Sequence, residues 1–131
     1  MSTRLAPETA LPTRKRHAHR TAVTVDISSI AKYLVESLGA GLVGLLAGVD
    51  RRTAQRWAAD QATAPRADSE RDLRDAYQVF QELLPVEAPA TIRAWFMGMN
   101  PQLDDVSPVE AIAAGNSREV LAAARAFASG G

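Results

Sequence analysis

Residues 42–60, LVGLLAGVDRRTAQRWAAD, constrain this chain more than any other stretch. An apolar run ends at Gly48, and the chain restarts at Asp50 into a segment bearing three arginines. Glycine ends helices in the left-handed conformation, and aspartate caps the helix that follows. The pattern predicts two short helices around a tight turn, the layout of a helix-turn-helix whose second helix lies in the DNA major groove. On a helical wheel Ala54, Trp57 and Ala58 face inward, while Arg51, Arg52, Gln55 and Arg56 share the other side. Val49 before the cap and Ala54 within the helix allow a small hydrophobic staple. The outward residues suit base readout: arginine pairs bidentately with guanine, and glutamine with adenine. Thr53 suits a phosphate or a thymine methyl group. The expected DNA-binding set is therefore Arg51, Arg52, Thr53, Gln55 and Arg56. The competing reading is a solvated basic face, softened by Asp50 and Asp60. One such helix covers few base pairs, so specificity calls for a homodimer on two half-sites.

Charge is distributed unevenly around this segment. The formal net charge of the 131 residues is zero, so the chain is not basic throughout. Residues 1–25 nevertheless carry Arg4, Arg14, Lys15, Arg16 and Arg20 against Glu8 alone. With Pro7, Pro12 and little apolar periodicity, they are expected to form a disordered basic tail. That tail either adds phosphate or minor-groove contacts or is simply solvated. Residues 83–131 are mildly acidic, which suggests different tasks at the two ends.

Beyond the tail the pattern is helical throughout, and the expected fold class is all-α. Ile30, Tyr33, Leu34 and Leu38 recur at helical spacing, with Asp26 or Ser28 as cap and Gly39 and Gly41 as the stop. Leu42, Leu45 and Leu46 build the short second helix. After a loop at residues 61–65, a fourth helix over about 67–84 turns Leu73, Ala76, Tyr77, Phe80 and Leu83 inward. Pro89 opens a fifth, which presents Ile92, Trp95, Phe96 and Met99 and ends at Asn100 and Pro101. Ser107, Pro108, Val109 and Glu110 form a capping box with proline at the first helical position. Gly115 closes that helix, and Asn116 or Ser117 opens the last one, with Val120, Leu121, Ala124 and Phe127 on one face. The expected organisation is a tail over 1–25, a DNA-binding and dimerising region over 26–84, and a second helical unit over 85–131.

Catalysis is not expected. The chain has no cysteine, and its two histidines, His17 and His19, both lie in the tail without further ligands nearby. Nucleophile–base pairs are absent from the folded part, and no metal or cofactor is expected. Asp104 and Asp105 read as solvated turn residues. The longest apolar run, residues 39–49, is too short to span a bilayer, and the basic start lacks the apolar stretch of a secretory signal. A cytoplasmic protein without membrane contact is the expectation.

Trp95 and Phe96 are adjacent, so both cannot point along one narrow stripe; either of them suits a partner surface. Two segments here resemble a known family. Residues 42–60 resemble the helix-turn-helix half of Xre-type antitoxins. Residues 95–127 resemble the C-terminal toxin-binding domain of the Xre/MbcA/ParS antitoxins. The matching pieces are Trp95, Asn100 and Pro101 followed by Leu103, the start at Ser107, Pro108, Val109 and Glu110, then Gly115, and Val120 with Leu121. The resemblance implies an Xre-like bundle followed by a small helical toxin-binding subdomain. It implies an antitoxin of a type II module, whose partner is a RES-domain toxin that degrades NAD. In the family the C-terminal region covers the toxin's NAD pocket, and the dimer represses its own operon through operator DNA. Carried onto this sequence, the toxin contacts would be Trp95, Phe96, Met99, Asn100, Arg118, Leu121, Arg125 and Phe127. The chain departs from the family in its long basic tail and in Asp104, Asp105 and Val106, where the family is glycine-rich. The alternative is a helix-turn-helix transcription regulator without a toxin partner.

Overall fold

The computed structural model describes residues 25–59 and 63–130. The tail expected over residues 1–25 thus lies, but for Val25, outside the described residues, as does part of the loop expected at 61–65. The described chain forms seven α-helices: α1 Ile27–Leu38, α2 Ala40–Ala47, α3 Arg51–Ala59, α4 Ala67–Leu83, α5 Pro89–Met97, α6 Pro108–Ala113 and α7 Ser117–Ala128. A single 3-10 turn, Pro101–Leu103, follows α5. The fold is all-α, as the periodicity requires.

Local chemistry sets most of the boundaries. The Asp26 carboxylate accepts from the Ser29 N–H at 3.2 Å and starts α1. Gly39 alone separates α1 from α2. Its φ of 93° and ψ of 148° belong to a region that is essentially glycine's own. Gly41, expected to help end α1, instead lies inside α2. The reason is that Gly39 makes the break unaided, and the Val43 N–H already bonds back to the Gly39 carbonyl at 3.1 Å. In α6 the capping box is complete: the Glu110 N–H donates to Ser107 Oγ at 3.2 Å, and the Ser107 N–H donates to Glu110 Oε1 at 3.3 Å. That helix closes in a Schellman motif, with the Gly115 N–H on Ile112 and the Asn116 N–H on Ala111.

One core serves all seven helices. Leu34 and Leu38 of α1, Val43 and Leu46 of α2, and Trp57 of α3 join Leu73 and Phe80 of α4 in it. The same cluster takes in Ile92 and Phe96 of α5, Ile112 of α6 and Val120 of α7. α7 packs along α4, α6 against α2, and α5 against α1. The boundary drawn between residues 84 and 85 therefore divides expected tasks and not the packing. Six of the seven aromatic residues form a continuous chain through this core. Tyr77 meets Tyr33 edge-on, Tyr33 meets Phe80, and Phe80 stacks on Phe96 at 6.2 Å. Phe96 then meets Trp95 edge-on at 5.5 Å, and Trp95 reaches Phe127. No helix among the described residues is long and apolar enough to cross a membrane.

Candidate functional site

The first surface is built on α3. Gly48 takes a left-handed conformation at the end of α2, and the Val49 N–H bonds to the Gly44 carbonyl at 2.9 Å. A Cβ on Gly44 would sit 2.7 Å from the Val49 carbonyl oxygen, so the turn folds back closely over α2 only because residue 44 has no side chain. A buried bond from Ser69 Oγ to the Ala47 carbonyl at 2.8 Å ties α4 to the end of α2. Asp50 then caps α3, accepting from the Thr53 N–H at 2.7 Å. The main-chain N–H of Thr53, followed by its hydroxyl, holds the Asp50 carboxyl below the usual carboxylate range.

Ala54 and Trp57 are buried and fix which side of α3 faces in. Ala58 is half-buried. Val49 and Ala54 both pack at the core, where the staple was expected. Arg51, Arg52, Gln55 and Arg56 are all exposed, and none of these arginines forms an ion pair among the described residues. Thr53 differs from its four neighbours. It is half-buried, and its donors serve the cap.

The second surface lies where α5, the 3-10 turn and α7 meet. Trp95, Met99, Asn100 and Phe127 line a groove of about 300 Å³ together with Pro101, Gln102 and Ala123. Met99 is 80% exposed and Phe127 39%. Asn100 shapes the rim: its Oδ1 accepts from the Gln102 N–H at 2.9 Å, and its N–H donates to the Val106 carbonyl. Asp104 and Asp105 close this loop with successive left-handed φ values of 57° and 67°.

The other expected toxin contacts lie elsewhere. Phe96 is fully buried, so its place among surface contacts is corrected: Phe80 and Trp95 enclose it, and it belongs to the core. Arg118 precedes Phe127 by nine residues, roughly half a turn around the helix. It lines a separate hollow with Arg71, Asp72 and Asp75, where burial pushes the Asp72 carboxyl up. Arg125 pairs with Glu82 of α4 at 3.5 Å. Leu121 is half-buried against the core. The expected contacts leave out Met97, which is 49% exposed on α5, and Arg93 one turn before it. Their exposure follows from Ile92 and Phe96 taking the inward side.

No family model and no curated protein matches this chain. Among solved structures it is similar to a chain in the crystal structure of the M. tuberculosis MbcT–MbcA toxin–antitoxin complex, at 26% identity. The match covers 81% of this chain and 97% of that one, with a TM-score of 0.68.

Proposed function

We propose, from the fold that this chain shares with the antitoxin MbcA, that it is the antitoxin of a type II toxin–antitoxin module. Its partner is a RES-domain toxin that degrades NAD, the partner implied by the resemblance of residues 95–127. The observation that carries the reading is the extent of the fold match, which takes in nearly the whole of the neighbouring chain. The groove around Trp95, Met99, Asn100 and Phe127 supports it at the residue level, because exposed Met and Phe side chains beside a half-buried Trp favour a protein partner. Neutralisation is steric: the end carrying α5 and α7 covers the entrance that NAD needs. Arg118, Leu121 and Arg125 reach the toxin only from the other side of α7.

The α2–turn–α3 unit is the helix-turn-helix in this reading. Arg51, Arg52, Gln55 and Arg56 contact operator DNA in a homodimer that represses its own operon. Their shared exposure, and the arginines' lack of ion pairs among the described residues, support this.

The test is co-expression with a cognate RES-domain toxin. The full-length chain should restore growth and NAD and co-purify with the toxin. Met99→Asp changes a side chain that is mostly in solvent, so its melting temperature should stay near wild type while rescue and co-purification are lost. Full rescue by a folded Met99→Asp variant removes the groove from the toxin interface. A wild-type chain that fails to rescue removes the antitoxin reading.

A further inference from the structure

A second groove, of about 340 Å³, opens where α1 passes into α2. It is lined by residues 38–42 together with Arg51, Arg93 and Met97. The two guanidinium groups come from the two halves of the chain, and no carboxylate lines the space between them. Arg93 is held in place: its Nε donates to the Leu38 carbonyl at 3.0 Å. Its Nη2 lies 3.6 Å from where a Cβ on Gly39 would stand, so the guanidinium rests against the bare glycine. Neither arginine forms an ion pair among the described residues, although the chain has fifteen Asp and Glu.

Two like charges sharing a groove repel each other unless an anion sits between them. A guanidinium fixed through Nε keeps its Nη donors free for oxyanion oxygens. Arg51 also opens α3, so the groove continues directly into the face that carries Arg52, Gln55 and Arg56. Gly39 has no side chain with which to cap α2, whose first N–H groups add to the pull on an anion.

We propose that Arg93, with Arg51, holds a backbone phosphate of the DNA that α3 reads. The DNA surface then extends into the half of the chain assigned above to the toxin alone. This rests on the DNA reading of α3. A contact of this kind fixes the register of the protein on the duplex and carries no base preference.

The experiment uses the full-length chain and two labelled duplexes. One is the DNA immediately upstream of its own reading frame; the other is a scrambled duplex of equal composition. Anisotropy titrations are run across a series of salt concentrations. Arg93→Gln, which keeps a donor for Leu38, should weaken binding to both duplexes alike, by roughly three- to tenfold at low salt. The slope of log K against log salt should fall by about one. Arg93→Lys should keep the slope. Arg52→Ala should instead weaken the upstream duplex more than the scrambled one. If Arg93→Gln melts early, Met97→Glu, on an exposed residue that lines the same groove, should weaken both duplexes alike by setting a carboxylate beside the phosphate. Wild-type affinity and slope in the Arg93 and Met97 variants, with Arg52→Ala still impaired, overturns the phosphate site and leaves the DNA reading standing. A wild-type chain that binds neither duplex overturns both.

Discussion

Asp50 gives α3 its first turn and at the same time places an acid beside a basic surface. Its carboxyl titrates below the usual range because the Thr53 N–H stabilises the charged form. A carboxylate depressed on folding adds stability that is present above its unfolded value, near 3.9, and is lost as pH falls through the folded value. Asp50→Asn keeps a capping acceptor but not the charge. Its melting temperature should therefore lie below wild type at pH 7, with the gap closing below about pH 4. Thermal melts at pH 7 and pH 3 check this; an equal gap at both would mean that the charge is not what stabilises the cap. The cap itself was legible in the sequence, because aspartate after a glycine stop is a local signal. The division between Trp95 and Phe96 was not. Neighbours on a helix differ by roughly 100° in direction, and what decides between them is a distant residue, Phe80. Asp104 and Asp105 belong to the same lesson. Their left-handed backbone is one that aspartate tolerates, so an acidic pair closes this loop without glycine.

At the scale of elements, the α2–turn–α3 unit depends on one close approach. Gly44→Ala would set a methyl group 2.7 Å from the Val49 carbonyl oxygen, backbone that cannot swing aside. The expected cost is about 1–3 kcal/mol. Gly41 has open space around its missing Cβ within the same helix. Gly41→Ala should therefore stabilise by about 0.4–1 kcal/mol. Urea denaturation of the two variants separates them by sign. Stops at Gly48 and Gly115, the capping box at Ser107 and all seven helices were legible, since each is written within a few adjacent residues. The extent of α2 was not. Gly39 and Gly41 look alike in sequence, and only the φ of 93° shows which of them makes the break.

For the molecule as a whole, the shared core matters more than the division into two tasks. Phe96 comes from the half assigned to the toxin, yet it stacks on Phe80 beneath the other half. Phe96→Ala should cost about 3–5 kcal/mol, a large share of what a domain of this size has. DNA affinity and toxin neutralisation should fall together in that variant. Loss of neutralisation with full stability and full DNA binding would mean that the halves fold separately. Which helices pack together was beyond the sequence, because periodicity gives each helix an inward face but not its neighbour. The aromatic chain has one more consequence. It takes in Trp95 at the groove and leaves out Trp57, which is 3% exposed beneath α3. One tryptophan thus stands behind each of the two surfaces. Trp57 should emit at short wavelength and resist iodide. Trp95, only partly covered, should emit further to the red and be quenched until the groove is filled. The chain thus carries its own optical probe of the groove, with Trp57 as the internal reference, and occupancy there can be followed without a label.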